Sequence, residues 1–352
     1  MPFSVRDFSR PGLRWLLALS FVASCKRHEP QVAYPTYPGG YPTQYPNQAP
    51  PGAQPQPGPP VAQPGQTAVA PLPPTPATPS GPISGPDPIN QLDVAFLRNQ
   101  GTGILRELVA ALPPLQQGRV ANIPLVVDST IGEVNAFATC TREGRAAMAI
   151  TDGLLEIKAQ LARARAHDEI GGTRKVDEYI QLIARNQRPK QPIVRPAAGF
   201  FDPRIDNDAR KVARQHQIFE EEVAFVLGHE LAHHYLNHLP CTGAGALAPA
   251  EVARVLSDAV PGFNQPNELA ADISGTNDML TAGARRASGH RFTEGGAMLV
   301  MQFFSGLDSS SPADIFNFER SHPPPSVRVP VIQQTASAWR STGGRGLPYP
   351  FF

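Results

Sequence analysis

His229-Glu230-Leu231-Ala232-His233 lies inside residues 220–239, EEEVAFVLGHELAHHYLNHL. Apolar Val223, Phe225, Val226, Leu227, Leu231, Tyr235 and Leu236 recur through this stretch, and no proline interrupts it, so it reads as a buried helix. Residues four apart on a helix share a face one turn apart. His229 and His233 can therefore offer two imidazole nitrogens to one metal ion. Glu230 stands about 100° round the helix from His229, beside the open side of such an ion. A site of this kind needs a third protein ligand and leaves its fourth position to water. A surface helix carrying two histidines has the same pattern. The apolar surroundings weigh against that reading, because a glutamate is seldom put on a buried helix without a partner.

The third ligand is sought downstream. In Asn267-Glu268-Leu269-Ala270-Ala271-Asp272 the two acids are again four apart, early in a helical pattern. Glu268 suits the metal, and Asp272 suits the second ring N–H of a liganding histidine, a bond that fixes tautomer and orientation. An acidic first turn complementing the helix dipole is the alternative. Apolar Leu269, Ala270, Ala271 and Ile273 around the pair favour the ligand reading.

Around these helices the pattern is mixed. Residues 92–112 have helical spacing interrupted by Gly101 and Gly103, and three strand-like runs follow at 124–128, 134–139 and 146–151. Helical patterns recur at 154–165, 176–184, 249–259, 267–282 and 293–306, and again after Pro323–Pro325. The stretch 187–208 reads as a loop. A few short strands and many helices predict an α+β domain, mostly helical, with a small mixed sheet next to the His229 helix. Residues 148–151 are expected to be an edge strand to which a peptide adds.

The N-terminal quarter has another character. Arg6, Arg10 and Arg14 precede a short apolar run, Trp15 to Ala23, which reads as an export signal over residues 1–24. It ends in Val22-Ala23-Ser24-Cys25, which resembles the lipobox of bacterial lipoproteins and implies a lipid anchor at Cys25. The alternative is an ordinary secretory signal. Residues 25–88 form a proline-rich linker: half of the 40 prolines fall between 30 and 88, and no charged residue occurs between Glu29 and Asp87. Tyr-Pro recurs from Tyr34 to Pro46. Such a composition favours extended chain over a core, as a spacer or as a ligand for a partner. The globular domain is expected over 89–352. A formal net charge of +1, about −1 once the signal is removed, excludes nucleic acid as the main partner. With Cys25 lipidated, Cys140 and Cys241 remain as a candidate disulfide in an oxidising compartment. His234 and His238 are expected to be structural or solvent-facing.

Four stretches in order resemble the HtpX-like metallopeptidases, gluzincins that include the CAAX prenyl proteases and the Oma-type proteases. They are residues 134–138 with 149–155, then Leu227 to His234, Glu268 to Asp272, and Ser321-His322-Pro323-Pro324-Pro325-Ser326-Val327-Arg328. The resemblance spans most of residues 120–338. It implies a zincin-like fold and a zinc-dependent endopeptidase acting on protein or peptide substrates, with one zinc held by His229, His233 and Glu268. Glu230 would be the general base. His322 would donate to the oxyanion, against the plainer reading of a helix-entry residue. Arg328 would position His322 or a carboxylate, or form a plain salt bridge. The chain lacks the family's transmembrane helices and ends soon after the His-Pro segment, so it is expected to be an exported lipoprotein member. Lys26 after Cys25 points to the outer membrane, facing the periplasm, where unfolded or misassembled envelope proteins are the implied substrates. A catalytically inactive binding or chaperone-like lipoprotein on the same scaffold is the second reading. In a third, the Tyr-Pro arm is the functional part and the domain its anchor.

Overall fold

The computed structural model describes residues 86–258, 265–308 and 322–347. The export signal, Cys25, the Tyr-Pro repeats and Ser321 lie outside them. The chain runs α1 (Val94–Ala111), α2 (Pro114–Val120), β1 (Leu125–Asp128), β2 (Ala136–Cys140), β3 (Arg145–Thr151), α3 (Asp152–Gly171), α4 (Lys175–Asn186), α5 (Pro203–Asp206), α6 (Ala209–Tyr235), β4 (Gly243–Ala244), α7 (Pro249–Asp258), α8 (Gln265–Ala284), α9 (Gly295–Asp308) and α10 (Pro325–Ser341). This is the α+β, zincin-like arrangement that the pattern predicts. None of the described helices is long and apolar enough to cross a membrane.

The metal-motif helix is longer than its apolar pattern. α6 begins at Ala209, where the Asp208 side chain caps the Arg210 N–H. In its first turns two polar side chains, Lys211 and Gln215, are buried because they carry an ion network. Lys211, wholly buried, donates to Asp206 Oδ1 at 2.6 Å and to Asn90 Oδ1 at 3.3 Å. Gln215 Nε2 donates to Asp87 Oδ1 at 2.5 Å, and His216 Nε2 meets Asp87 Oδ2 at 2.6 Å. The start of the domain is thereby fastened to α6. The rest of α6 is buried on nearly every face, with α8, α3, α9 and α1 packed around it.

The sheet corrects one expectation. β3 is its middle strand: β1 pairs with it in parallel, Leu125 opposite Met148, and β2 antiparallel, Ala138 opposite Met148. β4 pairs in parallel with its first residues. Residues 148–151 are therefore no edge. The edges lie on β1 and β2, because the non-local parallel partner β1 covers the side of β3 that hairpin reasoning leaves open. Thr151 ends β3 and caps α3 with its hydroxyl, which accepts from Leu154 N at 3.1 Å.

One charge pair is sunk between α3 and α6. Lys158 Nζ stands 3.7 Å from Glu222 Oε1, both side chains within 1% of full burial, and 5.4–5.5 Å from the ring centres of Phe303 and Phe304. Burial pushes the Glu222 carboxyl up to about 8 although Lys158 pulls it down. A raised carboxyl stabilises the fold fully below its unfolded value and loses that contribution as pH rises through the folded value. Lys158→Met raises the folded value further. Its stability should keep falling above about pH 8, where the Glu222 contribution in the parent levels off, at roughly 1.4 kcal/mol per pH unit. Lys158→Met with Glu222→Leu should remove the excess slope, since an apolar pair of similar volume tolerates burial. Thermal melts across the range check both.

Candidate metal centre

Two helices meet here with almost no clearance. A Cβ on Gly275 of α8 would lie 2.7 Å from the His229 nitrogen of α6, and one on Gly228 would lie 3.1 Å from the Gly275 carbonyl oxygen. Only glycine permits that approach. The crossing brings Glu268 and Asp272, one turn apart on α8, up to His229 and His233, one turn apart on α6. His229 Nε2 lies 3.2 Å from Glu268 Oε2 and 3.2 Å from His233 Nε2, and His233 Nε2 lies 3.5 Å from Glu268 Oε1. All three side chains are buried, and their ligand atoms fall within 4.8 Å of one another. Glu268 Oε2 is buried and accepts no hydrogen bond among the described residues. Two imidazole nitrogens and a carboxylate oxygen that nothing else satisfies are a donor set that fits a divalent cation with an open position.

Behind the ligands stands a fully buried pair. His229 Nδ1 donates to Asp272 Oδ1 at 3.0 Å. Arg328, in the first turn of α10, donates from Nε to Asp272 Oδ2 at 2.9 Å and from Nη2 to Oδ1 at 2.6 Å. Arg328 thus braces a carboxylate with Nε and Nη2, and Nη2 also lies 3.4 Å from His229 Nδ1. Burial disfavours charge on Asp272, but Arg328 and His229 hold its carboxyl well below the usual range. Burial also lowers His229, yet its bond to Asp272 and the neighbouring Glu268 carboxylate carry it up to about 9. Glu268, again against burial, is brought down to about 2 by His229, His322 and His233. His233 is pushed down to about 4 by burial and by the charge of His229. Both carboxylates therefore stay ionised and concentrate negative charge at one point, which favours a cation there.

Glu230 faces the same space from the other side. The Ala138 N–H of β2 donates to its Oε2 at 2.8 Å, and its Oε1 lies buried, 3.8 Å from His322 Nε2. His322 Nε2 is also 3.4 Å from Glu268 Oε2. Three prolines, Pro323 to Pro325, carry the chain from His322 into α10, with the third at a first-turn position that needs no N–H. The expected site residues of α6, α8 and the His-Pro segment are thus brought together. Cys140, at the end of β2, and Cys241, beyond α6, are joined by a disulfide with Cα atoms 5.3 Å apart.

The two remaining histidines of α6 and its exit are structural, His234 buried and His238 half-buried. His234 is buried, and its Nε2 donates to the Ala147 carbonyl of β3 at 3.0 Å. His238 turns back so that its Nδ1 lies 3.0 Å from His233 Nδ1. Periodicity cannot find such a residue, because it lies past the helix end; the signal is Asn237, a residue that tolerates the left-handed turn closing a helix.

A sequence model of Peptidase family M48 matches residues 115–336. The chain belongs to peptidase family M48. It is accordingly a metal-dependent peptidase, a hydrolase whose substrates are proteins or peptides. No curated protein and no solved structure matches the chain.

In this M48 peptidase Arg328→Met leaves the Asp272 carboxylate buried without its guanidinium. Stability of the metal-free chain should fall by roughly 3–5 kcal/mol, as for a broken buried pair, and not by the ~1 kcal/mol or less of a surface bridge. Urea denaturation distinguishes the two values.

Proposed function

We propose that this chain is an exported, lipid-anchored zinc endopeptidase that cleaves unfolded or misassembled proteins of the bacterial envelope. The reading rests on the convergence of His229, His233 and Glu268 on one point, with the buried carboxylate of Glu230 beside it. The donor set of two imidazoles and one carboxylate suits zinc. When bound, such an ion supplies a Lewis acid for the scissile carbonyl and a lowered pKa for an attacking water.

The residues of the chain do the rest. Glu230 is the general base: the Ala138 N–H holds one carboxylate oxygen, which leaves the other to take a proton from water and return it to the leaving amine. His322 donates through Nε2 to the oxygen on which negative charge develops. Asp272, braced by Arg328, keeps the proton of His229 on Nδ1 and its lone pair on Nε2. The substrate lies along the free edge of β2. Thr141 N bonds to Arg145 O and Thr151 N to Asn135 O, so the odd residues of this ladder face β3. Ala136, Ala138 and Cys140 then turn their backbone groups outward; the Ala138 N–H is taken by Glu230, and the groups beside it remain for a peptide to add as a further strand. Recognition through backbone fits a broad range of unfolded substrates.

Residues 1–24 are the signal, Cys25 the lipidated N-terminus, and residues 25–88 a spacer that lifts the catalytic domain, 89–352, from the outer membrane into the periplasm.

Glu230→Gln should retain zinc and lose casein cleavage by roughly 10²–10⁴-fold. Zinc analysis and a fluorescent casein assay on parent and variant check this. Zinc in both and cleavage by neither would replace the enzyme with a binding protein on the same scaffold. Deletion of residues 30–85, which keeps Asp87 and its bonds to Gln215 and His216, should leave peptidase activity within about two-fold, since so proline-rich a composition suits a spacer; a large loss would move function into the Tyr-Pro arm.

A further inference from the structure

The C-terminus of α6 is closed by a left-handed turn. Asn237 has φ of +59°. His238 N–H donates to the His233 carbonyl at 3.0 Å, and Asn237 N–H to the His234 carbonyl at 3.1 Å. These are the paired 6→1 and 5→2 bonds of a Schellman cap. The cap folds the chain back over the last turn of the helix and lays the half-buried ring of His238 edge-on against His233, with ring centres 5.0 Å apart at 68°. The same backbone device that satisfies the last carbonyls of the helix thus puts a ring nitrogen beside a metal-ligand candidate.

Two imidazole nitrogens 3.0 Å apart share one hydrogen: one donates and the other accepts. The direction follows from the opposite side of the His233 ring. As a ligand, His233 turns the lone pair of Nε2 to the centre, where that atom lies 3.5 Å from Glu268 Oε1 and 3.2 Å from His229 Nε2. A neutral imidazole has one N–H, which must then sit on Nδ1. His233 donates, and His238 Nδ1 accepts, as the Nε2–H tautomer. We propose that His238 is a positioning residue of the metal centre, a neutral acceptor that fixes the tautomer and ring plane of His233. This rests on the assignment of His229, His233 and Glu268 as ligands. The two ligand histidines are then oriented differently: His229 by a carboxylate, His233 by an uncharged ring. Asp272, Glu268 and Glu230 already bring three carboxylates to the centre, and a neutral acceptor orients His233 without adding a fourth.

The test uses the full chain with Zn²⁺ and Co²⁺ as probes. Zinc affinity, from competition with a chromophoric chelator, should fall about 10–100-fold in His238→Ala. His238→Asn, whose side-chain oxygen stands near the position of the lost Nδ1, should recover affinity to within about three-fold of the parent. The visible bands of bound Co²⁺ should shift in the alanine variant and return in the asparagine variant. Parent-like affinity and spectrum in His238→Ala overturn the proposal, as does an asparagine variant as weak as alanine. Long-range proton–nitrogen correlation spectra of the zinc-loaded parent need no variant to fold. They should show His233 protonated on Nδ1 and His238 on Nε2; His238 protonated on Nδ1 overturns the assignment. A parent chain that binds neither ion overturns the centre itself, and the role of His238 with it.

Discussion

A carboxylate and a guanidinium without access to water hold this domain's working half together. Asp272 is 0% exposed and Arg328 2%. Each charge alone would be costly at that depth, and the attraction between them offsets the desolvation only because the geometry leaves no polar atom of the carboxylate idle. Both donors of the Arg328 fork and the N–H of His229 end on the two oxygens of Asp272. The three residues come from α8, α10 and α6. The bond that aims a ligand histidine is therefore also the bond that docks the last helix, and metal-site geometry cannot be separated from tertiary packing.

That arrangement works because three local backbone features agree with it. Gly228 and Gly275 let α6 and α8 touch, which brings the acids of one helix to the imidazoles of the other. The outward N–H of Ala138, left over by the antiparallel pairing of β2 with β3, finds the Glu230 carboxylate. The left-handed Asn237 returns His238 to the helix it has just left. None of the three involves a charged or metal-binding side chain as its cause. Each is a consequence of how helices and strands begin, end and approach one another, and together they decide where the reactive groups stand.

This division explains what could be read from residues alone. His229, His233, Glu268 and Asp272 were legible because helical spacing turns directly into a shared face. His322 and Arg328 were legible only as a pattern, and the pattern did not say that the arginine serves Asp272. The N-terminal turns of α6 escaped notice because they bury Lys211 and Gln215, which no apolar period marks. The end of β3 reads as an edge because a parallel partner such as β1 is a non-local fact. Gly228 carries no signal in the sequence, and His238 reads only as structural or solvent-facing, since neither a close helix crossing nor a capping turn leaves a periodic trace.

The Cys140–Cys241 bond closes a covalent ring with a sequence separation of 101 residues. Inside the ring lie His229, Glu230, His233 and His238; outside it lie Glu268, Asp272, His322 and Arg328. The centre is thus stitched from an enclosed half and a tethered half. If the C-terminal helices loosen, the enclosed half keeps its paired imidazoles and base at hand on a closed loop, while the acids that complete the centre leave together. Assembly and disassembly of the site are in that sense a single docking event between two parts of one chain, and its outcome is all or nothing.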